Sequence, residues 1–397
     1  MLLLLLLGAA PVWAQEAPPT GAPTIRLGPL GLTPRISITD IGVDTNIKSQ
    51  SENPQRDFTA VINPAVDLQL TMRRVELSAT TELGYRYFGS VIGERALDVT
   101  QDARLTIGMN RVAPFIDGSY ASETRRPNLE INARVHRTQQ RVGIGTEVRI
   151  GPQTTLEVGV ERGLLLFDDV EFAGANLRSE LNRESSLARA LFRMALTPLT
   201  TFVVTGEAQR DRFEFSPVRD ANMVSVLPGF ELDPAALIEG SAFVGYRSFK
   251  AVHPSLPDFG GVIADVAVAY TLLGRTRFAV TGERSVEYSF EPREPYYLLS
   301  GGGLVVTQAL GGRWDALGRF ERSSLAYRQI ADLLPGPSGQ RVDRVETYGF
   351  GFGRRLGEAI RVGLEVNHVQ RRSVVRGRNF EGWRVGGSFV YGAANGS

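Results

Sequence analysis

The chain has 397 residues, with 44 Lys and Arg side chains against 43 Asp and Glu, and it contains no cysteine. The near-zero net charge argues against a nucleic-acid binder, which would carry a basic stripe. The lack of cysteine excludes disulfides, thiolate catalysis and cysteine-based zinc sites. No run of about 18 apolar residues follows the N-terminal segment, so no membrane-spanning helix is predicted.

The N-terminus predicts export. Residues 1–14, MLLLLLLGAAPVWA, are apolar and end in a small-residue cleavage site with Val12 and Ala14. This pattern is typical of a secretory signal peptide and is too short to span a bilayer. A basic n-region is missing, so we expect the natural start to lie upstream of Met1. Residues 15–34 carry five prolines and are predicted to form a flexible periplasmic linker.

From Arg35 to Tyr391 the chain repeats one pattern, in which two long extended stretches joined by a short turn are followed by a longer polar loop. Within residues 154–167, for example, Leu156 and Val158 alternate with Glu157 and Gly159. A period of two places alternate residues on opposite faces of a strand. Strands of this length with one apolar and one polar face predict an all-β, transmembrane antiparallel β-barrel over residues 35–391, followed by a short tail, residues 392–397.

Turn signals give the strand count. Gly, Pro and Asn, which favour tight connections, mark eight short turns, at Met72–Arg74, Asn110–Pro114, Gly151–Gln153, Pro198–Thr200, Asp233–Ala236, Gly274–Arg275, Gly311–Arg313 and Gly357–Glu358. Nine longer polar loops lie between them, at Ile47–Arg56, Ser90–Arg95, Arg125–Arg137, Asp168–Asn182, Glu214–Ala221, Val252–Gly260, Glu291–Pro295, Arg328–Arg341 and Val374–Phe380. This predicts about eighteen strands, with short periplasmic turns and longer extracellular loops.

The apolar face of each strand is expected to contact lipid. Aromatic residues near the strand ends are interpreted as girdles at the lipid–water boundary. They are Tyr85, Tyr87, Phe88, Tyr246, Phe249, Tyr288, Phe290 and Tyr391.

The opposite face is dense in charge of both signs, and an ionised side chain facing lipid near the midplane would cost ~2–4 kcal/mol. The charged residues are therefore predicted to line the lumen, either as a structural wall of ion pairs or as a solute pathway, and both interpretations stay open. The candidates are Glu76, Glu82, Arg86, Asp98, Asp102, Arg104, Arg141, Glu147, Arg149, Glu157, Glu161, Glu207, Arg247, Asp265, Arg277, Glu283, Glu287, Asp315, Arg319, Glu321, Arg361, Glu365 and Arg384.

A barrel of 16–18 strands is too wide for its own side chains to fill and encloses an aqueous channel unless it is plugged. The linker before Arg35 and the loops are too short for a folded plug domain. The longest loops, Asp168–Asn182 and Arg125–Arg137, are the candidates for folding inward. We therefore expect a pore that is constricted rather than sealed.

Catalysis is not expected. His136 and His253 fall in predicted loops, and His368 lies in the lipid-facing phase of its strand. No His and carboxylate cluster has metal-ligand spacing, so no catalytic residue, metal or cofactor is predicted.

The N-terminal third resembles the β-barrel porin type 2 family. The resemblance rests on a first strand ending in G-x-D-x-N, here Gly42, Asp44 and Asn46. A D-F pair and a mid-strand N-P pair follow, at residues 57–58 and 63–64, before a Tyr-rich third strand at residues 75–88. The resemblance implies an outer-membrane barrel, encoded in some members with exopolysaccharide synthesis and export machinery. The six residues after Tyr391 depart from barrels that end on the aromatic residue of the last strand.

These observations predict a passive outer-membrane channel serving exopolysaccharide secretion. A general or sugar-selective uptake porin is the alternative, and a non-conducting structural barrel is disfavoured by the short loops and the charged lumen. The expected partners are outer-membrane lipid, the barrel-assembly machinery and an oligo- or polysaccharide solute, with no nucleic acid.

Overall fold

The computed structural model describes residues 25–330, 341–357 and 359–392, which form one closed wall of eighteen long strands. The strands are β1 (Leu30–Asp44), β2 (Asp57–Met72), β3 (Val75–Phe88), β4 (Ala96–Ile107), β5 (Val112–Arg125), β6 (Val135–Gly151), β7 (Thr154–Phe167), β8 (Arg183–Thr197), β9 (Thr200–Phe213), β10 (Ala221–Leu232), β11 (Ile238–Ala251), β12 (Phe259–Leu272), β13 (Thr276–Tyr288), β14 (Tyr296–Gly311), β15 (Trp314–Arg328), β16 (Val342–Leu356), β17 (Ile360–Arg372) and β18 (Phe380–Tyr391).

Every strand pairs antiparallel with its neighbours in sequence. The last strand returns to the first, with Tyr391 of β18 opposite Ile36 of β1 and Arg384 opposite Asp44. The predicted fold class, a closed antiparallel barrel of eighteen strands, is confirmed. No helix among the described residues is long and apolar enough to cross a membrane.

Short and long connections alternate, so the barrel has a short-turn end and a long-loop end. The turn between β12 and β13 illustrates why the short turns form. Leu273 and Gly274 both have positive φ, at 52° and 63°, and the Arg275 N–H donates to the Leu272 carbonyl, which are features of a type I′ hairpin turn. Each predicted turn and loop falls at an observed connection between strands. Gly357–Glu358 and Arg328–Arg341 lie partly outside the described residues.

The N-terminal boundary differs from the prediction. Strand β1 begins at Leu30, so residues 30–34 belong to the wall rather than to the linker. Pro34 pairs with Val66 of β2 but lies beyond the last rung with β18, at Ile36. Its missing N–H therefore faces no second strand, which is where a sheet tolerates proline. The predicted signal peptide lies outside the described residues.

Shorter strands and a short helix lie at the two ends of the wall. A three-residue strand, Ile25–Leu27, folds back onto the start of β1. The connection from β7 to β8 contains a two-stranded ribbon, Glu171–Phe172 with Ala175–Asn176, and a short helix α1 (Leu177–Leu181). The Asn176 side chain caps this helix by accepting a hydrogen bond from the Ser179 N–H. This loop therefore has a defined fold of its own.

The outer face of the wall is apolar over its middle. Val142 and Ile144 of β6 and Phe350 of β16 are each about 60% exposed, at 61%, 62% and 62%. Aromatic rings on neighbouring strands stack along this face, with the His368 and Trp383 centroids 4.5 Å apart. His368 thus lies in the outward phase that the alternation predicts. An exposed apolar band of this kind is the surface that a barrel presents to lipid.

Four of the predicted girdle residues, Phe88, Phe249, Tyr288 and Phe290, face inward instead. Phe88, Phe249 and Phe290 are 1%, 0% and 0% exposed. Tyr288, expected on the outer face, donates a hydrogen bond of 2.8 Å to Asp211 of β9. Val286, two residues earlier on β13, packs against the inward-facing apolar cluster that contains Phe249 and Tyr296.

The end of the β13–β14 hairpin bends into the barrel. In the described residues, β12 and β13 share no rung beyond Ala264 opposite Arg284, although both strands continue. Strand β13 stays paired with β14 as far as Tyr288 opposite Tyr296. The hairpin therefore leaves the wall as a unit, which explains why period-two alternation fails for its last residues.

Candidate functional site

The charged residues predicted for the lumen all lie in the phase opposite to the exposed apolar band. This face is the concave, inner face of the wall, because side chains from strands that are not neighbours meet on it. Arg104 of β4 donates to Glu157 of β7 over 3.0 Å. Glu157 also accepts a hydrogen bond of 3.1 Å from Arg189 of β8. One buried carboxylate thus joins two guanidinium groups across the inner wall.

Further predicted residues form ion pairs around the same wall. The pairs are Arg86 with Asp98, Arg247 with Glu207, Arg361 with Asp315, and Arg319 with Glu321. Two predicted arginines pair with carboxylates that were not among the predicted lumen residues, Arg277 with Glu239 and Arg384 with Asp40 and Asp44. Within these pairs, charges of opposite sign on the inner wall compensate each other.

Other predicted lumen residues form no ion pair with another described residue. They are Glu76, Glu82, Asp102, Arg141, Glu147, Arg149, Glu161, Asp265, Glu283, Glu287 and Glu365. Two of them share a hydroxyl, because Ser285 contacts Glu283 and Glu287 at 3.1 and 3.0 Å.

An apolar patch interrupts the charged wall. It consists of Leu191, Val203, Leu227, Phe243 and Ile263, one from each of β8 to β12, and all are at most 9% exposed. The patch lines one cavity together with Arg104, Glu157 and Arg247. Sequence reasoning missed this patch because it searched the inward phase for charge alone, although the patch residues share that phase with Glu207 and Arg247.

Three connections pack together inside the long-loop end. We call them the loop cluster, residues 126–134, 169–182 and 289–295. Glu130 accepts hydrogen bonds from the Ser289 hydroxyl at 2.7 Å and from the Phe290 N–H at 3.3 Å. Arg371 of β17 donates to the Leu129 and Glu130 carbonyls. The β5–β6 connection therefore crosses the lumen to strands far around the barrel.

An apolar core holds the loop cluster together. Ile131, Leu177, Leu181 and Phe290 are nearly or fully buried in one group, and the Phe172 and Phe290 rings meet edge to face at 5.0 Å. Burial of a large apolar side chain stabilises such a contact by roughly 1.5–3 kcal/mol. Both loops predicted as candidates for folding inward belong to this cluster. The β13–β14 connection was not foreseen.

Buried charges surround this core. Asp343 bridges Arg341 at 2.9 Å and Arg371 at 2.5 Å, and its side chain is fully buried. Arg378 lies over the rings of Phe172 and Phe290 at 5.1 and 4.8 Å. Burial raises the pKa of Glu130 to about 7, and burial lowers the pKa of Arg378. The cluster is therefore a site where the charge state of one carboxyl depends on how tightly the loops pack.

Among the described residues no group of three or more His, Asp or Glu side chains could hold a metal ion. The geometry offers a charged inner wall, an apolar patch and an in-folded loop cluster. A family model described as "Putative beta-barrel porin 2" matches residues 18–390. The chain belongs to this family. It is a porin-like outer-membrane barrel, and the family resemblance of its N-terminal third is confirmed.

Solved structures of similar architecture include other barrels at low identity. A BenF-like porin from Pseudomonas fluorescens Pf-5 is 10% identical, with 91% of this chain and 98% of that chain covered and a TM-score of 0.48. OpdK from Pseudomonas aeruginosa, solved with vanillate, is 11% identical, with 91% and 97% covered and a TM-score of 0.47.

The FrpB iron transporter from Neisseria meningitidis is 9% identical, with a TM-score of 0.43 and 86% of this chain covered. The chain spans 62% of the length of that transporter. No curated protein matches the sequence. At these identities and scores, the similarities assign neither a solute nor a direction of transport to this chain.

Proposed function

We propose that this barrel is a passive channel for hydrophilic solutes, serving exopolysaccharide secretion, with the long loops outside the cell and the short turns in the periplasm. The observation that carries the proposal is the charge-compensated inner wall, above all Glu157 between Arg104 and Arg189. Paired carboxylates and guanidinium groups both form hydrogen bonds with sugar hydroxyls. Their compensation gives repeated shallow sites instead of one deep charged trap.

In the proposed channel, the loop cluster controls the passage of solute. Glu130 joins the β5–β6 and β13–β14 connections through Ser289 and Phe290, and these contacts lie across the lumen. A solute can pass the long-loop end only where the cluster parts. Conduction therefore depends on loop motion, and the lid loops of enzymes open and close on microsecond to millisecond timescales.

Planar-bilayer recording of the purified barrel tests the channel. We expect steady conductance with weak ion selectivity, and transient block by a neutral or acidic oligosaccharide. Shortening residues 168–182 should raise the conductance, because this loop contributes Phe172 and Leu177 to the cluster core. A barrel that stays electrically silent after each long loop is shortened in turn would refute the channel and favour a structural barrel.

Uptake of small sugars is the second candidate, and the compact loop cluster favours it. A short solute needs only partial parting of residues 126–134 and 289–295, whereas a polymer needs the whole cluster displaced. Block by mono- and disaccharides but not by longer oligosaccharides would favour uptake. The reverse order would favour secretion.

A further inference from the structure

Three adjacent strands bring a serine, a histidine and an aspartate together on the outer face at the long-loop end. Ser122 Oγ lies 3.0 Å from His136 Nε2, and His136 Nδ1 lies 3.1 Å from Asp168 Oδ1. Ser122 belongs to β5, His136 is the second residue of β6, and Asp168 directly follows β7. A nucleophile, a base and an orienting acid in this arrangement are recognised by geometry and not by their order in the chain.

The register of the wall holds these side chains in place. His136 lies opposite Thr124 on β5, two residues from Ser122, so both side chains share the outer face. The Asp168 N–H donates to the His136 carbonyl over 3.2 Å, which extends the β6–β7 ladder one residue past Arg137 opposite Phe167. The three groups thus stand on paired backbone, which gives the precise placement that a reactive site needs.

The hydrogen bonds define one consistent set of roles. With its proton on Nδ1, His136 donates to the Asp168 carboxylate, and its Nε2 is then free to accept the Ser122 hydroxyl proton. The Asp168 carboxylate holds the ring in this tautomer and stabilises the imidazolium that forms on proton transfer. His136 and Asp168 are 38% and 60% exposed, so water reaches the site.

The depth of the site matches the ester groups of lipids. His136 lies seven residues from Gly143, the centre of the 17-residue strand β6. At ~3.3 Å per residue and a tilt of ~40°, this separation is about 18 Å along the membrane normal, against about 15 Å for half of the hydrocarbon core. Ser122 lies opposite Thr138, five residues from Gly143, so by the same arithmetic it stands about 13 Å from the centre, at the edge of the apolar band of roughly 25 Å that such barrels present to lipid, where acyl ester bonds begin.

The surface below the site is suited to an acyl chain. Val142, Ile144 and Val160 are 61%, 62% and 57% exposed on the same outer face, toward the middle of the wall. Thr138 lies directly opposite Ser122 on this face. Its hydroxyl makes no hydrogen bond to another described residue and is free to donate to an oxyanion beside Ser122.

We propose that Ser122, His136 and Asp168 form an esterase site for acyl esters of membrane amphiphiles, separate from the lumen. Ser122 Oγ attacks the ester carbonyl carbon while His136 Nε2 takes the hydroxyl proton. The carbon–oxygen bond to the alcohol breaks, and the alcohol leaves with the proton from His136. Water then attacks the acyl-serine with His136 as base, which releases the fatty acid and restores Ser122.

Covalent labelling of the folded full-length barrel in detergent micelles tests this site. A long-chain alkyl fluorophosphonate should label Ser122, and peptide mass spectrometry should locate the adduct there. Para-nitrophenyl palmitate should be hydrolysed by the same preparation. Ser122→Ala and His136→Asn should abolish both signals. The matched control is Ser324→Ala, an outer-face serine near the same end of β15 that contacts no histidine, and it should behave as the unchanged chain does.

Asp168 is a positioning residue, and a conservative pair of variants separates its role from a structural one. Asp168→Asn should slow hydrolysis strongly and Asp168→Glu should recover part of the rate, while both variants keep the gel mobility of the folded barrel. An unchanged chain that folds but takes no label at Ser122 would overturn the proposal. So would labelling that persists in His136→Asn at the full rate. Because the site lies outside the lumen, neither result bears on the proposed channel.

Discussion

At the middle of β6, Val142 and Ile144 face outward and stay largely exposed, whereas at the long-loop end of β13 the Tyr288 side chain turns inward to Asp211. In the middle of the wall, pairing with two neighbouring strands fixes which face each side chain occupies. At the long-loop end, contacts across the lumen decide instead. Glu130 and Ser289, which join two connections there, are 159 residues apart. The direction of the side chains is therefore set by strand pairing in the middle of the wall and by contacts across the lumen at the long-loop end.

The largest effect is expected from a charged substitution on the outer, lipid-facing side of the wall. Phe350→Arg places an ion on the outer face near the centre of β16 and should hinder insertion by ~2–4 kcal/mol. Thr347→Arg, three residues away on the inner face and opposite Glu321, should insert normally. Heat-modifiable gel mobility of the membrane fraction measures the folded amount. Equal insertion of the two variants would mean that β16 does not face lipid on the assigned side.

A smaller effect is expected from the charge balance of the lumen. Glu157→Gln keeps the side-chain shape but leaves Arg104 and Arg189 without their shared carboxylate. The unfolding free energy in urea should fall by about 1–3 kcal/mol. Reversal potentials should shift toward anions, because two positive charges then remain uncompensated. An unchanged reversal potential would place this trio off the conducting path.

The loop cluster should respond to pH in the opposite sense to an ordinary ion pair. Burial raises the pKa of Glu130 from an ordinary value of 4.5 to about 7, so the packed cluster binds the proton more tightly than the parted one. Its stabilisation is complete below about 4.5 and is lost as the pH rises through about 7. Ser289, Arg341, Arg371 and Arg378 surround this carboxyl.

We therefore expect conductance to rise between pH 5 and pH 8 in planar bilayers. Glu130→Gln, which mimics the protonated acid, should flatten this rise while leaving conductance at pH 5 nearly unchanged. A rise of equal size in both proteins would remove Glu130 from the control of the cluster.

Most of the fold could be predicted from the periodicity of the sequence. The alternation and the turn residues predicted eighteen strands, and each predicted turn and loop falls at an observed connection. The same rule located the inward phase in which Glu157 and Arg247 lie. These successes share one cause, because strand pairing and a closed lipid-facing wall leave a single choice of face for each residue.

The remainder depended on contacts that no local pattern encodes. Phe290 packs inside because the β13–β14 hairpin leaves the wall. Phe249 is a different case, because on β11 it shares the inward phase of Arg247, so the girdle assignment went against the alternation itself. His136 was predicted in a loop but is paired in β6 opposite Thr124. Its approach to Ser122 and Asp168 follows from the relative register of three strands, which is fixed by pairing in space and not by spacing along the chain.

A reversible lock on the loop cluster tests whether this cluster controls conduction. Glu130→Cys and Ser289→Cys place two thiols in a chain that has no other cysteine, and a short bifunctional thiosulfonate can bridge them. Current through a single barrel is recorded before and after reduction of the bridge. We expect the bridged barrel to be electrically silent and to conduct once the bridge is reduced. Equal current in the two states would contradict a conducting path controlled by this cluster.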